Sequence, residues 1–221
     1  MSAFISTVVG GLVSIGVVIL VEYLRRPRLK LTILPPDDGP WPNLPPPVQQ
    51  MRSLRLKLSN EPLSWWANWM VRAPALQCRA AITFYDQQGQ HDIFGRTMEG
   101  RWARSPEPFV LPPLPPLPPP LEMDDLPSAD SQGLPIIPEW SCNVYPGESE
   151  TLDLIVRTDV SPNSYGWNNE TYFSNPVGRN LQWQLPPGIN RIEVVITSSG
   201  QKRTSWFTLM NAAGLQAFHL E

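Results

Sequence analysis

Residues 164–173 read SYGWNNETYF, and side chains able to recognise a polar ligand crowd together there. Tyr165, Trp167 and Tyr172 offer aromatic faces for stacking on a sugar ring, while Asn168, Asn169 and Glu170 offer hydrogen-bonding groups beside them. The same residue types also make a well-anchored loop. Asparagine side chains bond the backbone and tolerate positive φ, Gly166 permits a sharp turn, and tyrosines tie a loop to a core. The loop reading is the stronger one, and a carbohydrate-like binding module using Tyr165–Tyr172 is the alternative. Asn169–Thr171 also spells an N-glycosylation acceptor, which matters only in a secretory lumen.

A second group is Trp65, Trp66 and Trp69 in PLSWWANWMVRAP. Leaving large apolar side chains in water costs about 1.5–3 kcal/mol each. Three destinations remain open for them: the core, the bilayer interface, or the surface of a neighbouring subunit. A third group is basic. Arg25, Arg26, Arg28 and Lys30 place four positive charges within six residues.

Other chemistry is sparse. His91 and His219 lack metal-ligand spacing, and no phosphate-cradling glycine loop or nucleophile elbow is present. The acidic cluster Asp124, Asp125 and Asp130 lacks the order of a calcium loop. Cys78 and Cys142 are expected as reduced, strand-borne thiols, with one bridge between them as the alternative in an oxidising compartment. A net charge of −3 argues against a nucleic-acid partner. The expectation is a non-catalytic protein with no cofactor and no metal.

The elements that carry these residues follow from periodicity. Ala3–Val21 is uncharged, and its 19 residues form about 28 Å of helix, close to the hydrocarbon thickness of a bilayer. A signal peptide would put basic residues before the apolar run, whereas here EYLRRPRLK follows it. Residues 1–24 are therefore expected to hold a single transmembrane helix. The basic cluster keeps its own side in the cytoplasm, so the N-terminus faces out and residues 25–221 face in at the cell membrane. Ser6, Gly10 and Ser14 fall at i, i+4 and i+8 and give a small-residue stripe suited to packing on another helix.

Beyond the helix the pattern has period two. Leu29, Leu31 and Ile33 alternate, as do Leu54, Leu56 and Leu58, and so do Leu76, Cys78, Ala80, Ile82 and Phe84. The stretch IFGRTMEGRWAR is a strand broken by Gly95 and Gly100, and Leu152, Leu154 and Val156 face inward on another. Ile192, Val194 and Ile196 form one arm of a hairpin, with Phe207 and Leu209 on the other. Six or seven such strands without a long amphipathic helix describe a mainly β protein with one antiparallel β-sandwich, immunoglobulin-like only in the loose sense.

Two proline-rich loops interrupt it, at 34–47 and 109–127. The second repeats PPLP and suits polyproline II, with Leu111, Leu114 and Leu117 on one edge. It reads as a stiff strap on the sandwich, with a docking strip for an aromatic groove as the alternative.

The stretches MRSLRLKLSNEPL, APALQCRAAITFYD, GRWARSPEP and YGWNNETYF together resemble a group of prokaryotic single-span membrane proteins with a β-rich domain. The resemblance covers most of Met51–Phe173 and implies a membrane-tethered β domain, with no activity and no functional residue to carry over. The expected function is that of a membrane-anchored interaction or accessory protein. Its expected partners are the lipid bilayer and other membrane subunits or a second copy of itself.

Overall fold

The computed structural model describes residues 2–40, 50–67, 69–105, 140–172, 174, 180–212 and 214–221, with the side chains of residues 2–8 and of Trp66 outside the description. The proline-rich stretch 109–127 lies outside the described residues.

Helix α1 (Ser2–Arg25) opens the chain. It is followed by β1 (Leu29–Ile33), β2 (Asp37–Pro40), β3 (Gln50–Asn60), β4 (Ala75–Tyr85), β5 (Met98–Glu99), β6 (Arg101–Trp102), β7 (Cys142–Val144), β8 (Ser149–Thr158) and β9 (Ser164–Gly166). The short helix α2 (Asn169–Tyr172) precedes β10 (Gln184–Leu185), β11 (Gly188–Ser198), β12 (Gln201–Asn211) and β13 (Phe218–Leu220). Among the described residues no helix is long and apolar enough to cross a membrane. The side chains of α1 are described from Val9 onward, and Val9–Val21 covers about 20 Å at roughly 1.5 Å per residue, against about 30 Å of hydrocarbon.

The protein is mainly β, with two antiparallel sheets in a sandwich-like arrangement. One sheet runs β1-β3-β8-β9-β10, with β2 also on β3 and β6 also on β8. The other runs β13-β12-β11-β4-β5, with β7 also on β4. β1 and β2 share one edge of β3 because Pro35 and Pro36 have no N–H to give the ladder, so the strand breaks there and resumes at Asp37. The 34–47 connector therefore contains a strand. Leu54, Leu56 and Leu58 face Ile192, Val194 and Ile196 across a core completed by Phe84, Met98, Trp102 and Phe218.

Two bulges change what strict alternation predicts. β4 carries one at Leu76–Gln77, where Gln77 takes φ +52 and its N–H is held by Asn143 Oδ1 at 2.9 Å. Ala75 is buried in consequence and Leu76 is 41% exposed, although the sequence pattern put Leu76 on the inner face. β8 carries the other. Leu54 pairs with Ile155 and Arg55 with Asp153, which leaves Leu154 as the extra residue. Leu152, Leu154 and Ile155 then enter the main core, while Val156 joins a second cluster with Tyr165 and Trp167.

Gly100 is the corner where the chain leaves one sheet for the other. β5 pairs with β4, β6 pairs with β8, and Gly100 N–H bonds Ala80 O at 2.8 Å between them. A Cβ there would lie 2.6 Å from Ala80 Cβ and 2.8 Å from Leu152 Cδ1, one atom from each sheet. At Gly166 a Cβ would meet Met98 Sδ at 2.6 Å, the flexible end of one side chain. Gly166 itself lies in β9 rather than in a turn. Gly100→Ala is expected to cost about 1–3 kcal/mol by overpacking and Gly166→Ala clearly less. Urea midpoints of the two variants in one mild detergent check the order.

Candidate functional site

α1 ends where its sequence requires. Pro27 disfavours helical φ/ψ at Arg26 and cannot donate to the preceding turn, so the last carbonyls need partners from elsewhere. They find them on the loop between β3 and β4. Ala73 N–H bonds Arg25 O at 2.6 Å, and the Arg72 guanidinium bonds Arg26 O at 2.7 Å, a cationic donor at the negative end of the helix. The fully buried Asn60 side chain fixes this junction. Its Oδ1 accepts from Arg28 N–H at 3.1 Å, and its Nδ2 donates to Ala73 O at 3.1 Å and Val144 O at 3.2 Å.

The same loop carries the tryptophans. Trp65 is 87% exposed, Trp69 75% and Val71 74%, so the core is not where Trp65 and Trp69 go. A single 3-10 turn at Trp65–Ala67 buries Ala67 in their place. The side chain of Trp66 lies outside the described residues. Tyr23 on α1 is also exposed.

The predicted basic residues surround the junction. Arg25 pairs with Glu22 at 3.6 Å, and Arg28 and Lys30 share Glu61 at 3.3 and 3.5 Å. No carboxylate partner is found for Arg26 or Arg72 among the described residues. Burial, and the charge of Arg28 beside it, lower the Arg72 pKa from its ordinary value against a smaller pull upward from Glu61. Two adjoining clefts open here, of 510 and 590 Å³, and share Arg26, Pro27 and Gln201.

The helix stripe is placed in part. Ser14 Oγ bonds Gly10 O at 2.9 Å, and nothing lies within 4 Å of the position a Gly10 Cβ would take. The side chain of Ser6 is outside the description.

Residues 164–172 form a folding element of the β domain. β9 adds Tyr165 and Gly166 to the edge of β8, and Trp167 N–H bonds Leu154 O at 2.8 Å. Asn168 Oδ1 caps the following turn through Thr171 N–H at 2.8 Å. Tyr172 meets Trp167 edge to face at 5.4 Å, and the Arg101 guanidinium lies 4.0 Å from its ring centroid. Glu170 holds the indole N–H of Trp183 at 2.6 Å.

Tyr165, Trp167, Asn168 and Asn169 are all buried, so their rings and amides face the protein rather than a sugar. Asn169 also lies too deep for a glycan. Among the described residues its amide has no hydrogen-bond partner, and the same holds for Ser164 Oγ and Thr171 Oγ1 in this stretch.

Cys78 and Cys142 stand opposite each other across β4 and β7, both free and both buried. The hydrogen bond from Cys142 draws Cys78 down to about 7, and the same contact pushes Cys142 up. Among the described residues no group of three or more His, Cys, Asp or Glu side chains is placed to hold a metal.

Sequence reasoning found the tryptophans and the basic quartet but missed Asn60 and Arg72, which join them. The signals were slight: an asparagine closing an alternating strand, and a lone arginine in an apolar loop. No family model, curated protein or solved structure matches the chain.

Proposed function

We propose that this chain is a membrane-anchored, non-catalytic accessory protein, with α1 as a single span and the β domain on the cytoplasmic side. Its N-terminus faces out. The observation that carries the reading is the pair of exposed tryptophans on a loop bonded to the end of α1. Soluble surfaces rarely leave such groups in water, whereas an aromatic side chain at headgroup level or in a subunit contact is at home.

The helix supports the same reading. From Val9 to Leu20 its large apolar residues are 53–65% exposed and face every direction, as suits a helix surrounded by lipid. Arg25, Arg26, Arg28 and Lys30 then set the orientation by the positive-inside rule. The open Gly10 face leaves room for a partner helix. Confinement to the membrane raises the effective concentration of such a partner without new contacts.

Purification of the native protein in mild detergent should bring stoichiometric membrane subunits with it, and Trp65→Ala with Trp69→Ala should release them. A lone monomer would overturn the accessory role. Topology needs a separate probe, because Cys78 and Cys142 are buried and silent on either side. Val160, 61% exposed, serves once replaced by cysteine. A membrane-impermeant maleimide is expected to label Val160→Cys only after lysis, and labelling in intact cells would overturn the cytoplasmic assignment.

A further inference from the structure

We infer that the cleft between the end of α1 and the β domain is a binding site for a phosphate monoester or diester, supplied by the headgroup of an anionic phospholipid. The source of the phosphate rests on the membrane reading above, while the anion chemistry rests on the cleft itself.

The 590 Å³ cleft is lined by Arg26, Arg28 and Arg72 with the Tyr23 ring and the Gln201 amide, and among the described residues no carboxylate lines it. Its volume falls in the usual range for small-molecule sites, about 300–1,000 Å³. Among the described residues only Arg28 of the three guanidiniums has a carboxylate within ion-pair distance, Glu61 at 3.3 Å, which it shares with Lys30. Arg72 is spent at one nitrogen on Arg26 O, and its Nε is buried without a hydrogen-bond partner. Holding three planar forks around one space leaves mutual repulsion that Glu61 relieves only in part. A phosphate relieves it by accepting from several donors at once, the geometry for which arginine is suited. Burial first and the Arg28 charge second lower the proton affinity of Arg72, with Glu61 pulling the other way.

Depth points to lipid as the source. Arg26 lies five residues past Val21, the last residue of the apolar run, or about 8 Å along the helix at 1.5 Å per residue. The headgroup layer adds roughly 5–7 Å to each side of the hydrocarbon, so Arg26 sits at its outer edge and its long side chain reaches back to the phosphates. Leu24 and Tyr23 on the helix side of the cleft suit the glycerol and upper acyl atoms of the same lipid. Glu22 and Arg25 belong to the neighbouring cleft, where they pair with each other.

The full-length protein is placed in nanodiscs of equal parts phosphatidylcholine and phosphatidylglycerol, and native mass spectrometry counts the lipids retained on release. One phosphatidylglycerol per chain is expected in preference to phosphatidylcholine. Arg26→Gln, whose side chain makes no ion pair among the described residues, is expected to lower that retention about tenfold, the loss of one charge-assisted contact. Arg72→Lys keeps a donor for the helix carbonyl and should also lower it. Arg191→Gln, on β11 with its guanidinium 5.5 Å from the Trp206 ring centroid, should leave it unchanged.

A second arm titrates the detergent-solubilised protein with inorganic phosphate and follows the phosphorus line width. Broadening that Arg26→Gln abolishes, without lipid preference, assigns the site to free phosphate and keeps the anion chemistry. Equal retention of both lipids with no broadening, or retention indifferent to Arg26→Gln and Arg72→Lys, overturns the site. Release of the native protein from membranes by alkaline carbonate would end the membrane reading alone, and the phosphate arm would still decide the cleft.

Discussion

Asp153→Ala is expected to destabilise the folded protein by about 3–5 kcal/mol, among the largest effects available to a single side chain. Asp153 is 1% exposed on β8, and its carboxylate bridges two guanidiniums, Arg101 at 2.6 Å and Arg55 at 3.0 Å. Burial raises its pKa above the ordinary carboxylate value, against the downward pull of Arg101 and Arg55. Arg101 is the vulnerable partner. It is 4% exposed, and without Asp153 its contacts among the described residues are Ser105 O at 3.2 Å and the Tyr172 ring. Arg55 is safer, because it is partly exposed and also bonds Asp37 at 2.7 Å.

The cost therefore comes from stranding Arg101, and that gives the prediction its sign test. Arg101→Met combined with Asp153→Leu removes both buried charges and should lie closer to the native protein than Asp153→Ala alone. Asp153→Asn keeps the volume but not the charge and should be nearly as damaging as alanine. Thermal midpoints followed by tryptophan fluorescence in mild detergent would show a fall of roughly 10 °C for Asp153→Ala, at about 2–4 °C per kcal/mol for a chain of this size. Strict additivity of the two single changes would sink the argument.

That ion cluster shows where sequence reading stops. Leu54, Leu56 and Leu58 and the β11–β12 hairpin were legible because two-residue periodicity reports directly which face is buried. The register of the hairpin is also local: Ser199 and Gly200 both take positive φ, the geometry of a tight two-residue turn. Asp153 carries no such signal. It reads as an outward residue between Leu152 and Leu154, and it is buried because β6 and β9 cover that edge of β8. The bulge at Leu154 moves Val156 to the opposite face for a similar reason: one extra residue inverts the parity, and composition does not mark it. At the candidate site the exposed tryptophans and the basic quartet were local clusters and could be seen. Their arrangement depends on contacts across tens of residues and could not.

Asn60 makes the same point at the junction, and its replacement is the second large effect. Its main chain already bonds Glu148 O and Gly147 N–H, so the residue stays fixed on β3 whatever its side chain. Asn60→Leu, close to the same volume, removes one acceptor and two donors. It leaves Arg28 N–H, Ala73 O and Val144 O without their partner. Each buried group left unsatisfied costs about 1–3 kcal/mol, so a loss of roughly 3 kcal/mol or more is expected. Asn60→Ala should cost less, because the space it opens admits water to the same groups.

Asn60→Asp separates the polar bookkeeping from volume through pH. Its carboxylate would keep the bond from Arg28 N–H but face two carbonyl oxygens in place of donors. Burial and those oxygens raise the folded-state pKa above the unfolded value, so the folded state binds the proton more tightly. Asn60→Asp should therefore be nearest native stability in acid, and lose stability as pH rises through the unfolded and then the folded pKa. The damage should also be local before it is global. Hydrogen exchange should accelerate at Arg28 and across residues 61–74, and Arg72 should lose its fixed place beside Arg26. Retention of phosphatidylglycerol should then fall although no residue lining the cleft has changed. Asn60→Leu with an unaltered thermal midpoint and unaltered exchange at Arg28 would mean that the junction is held by something other than this side chain.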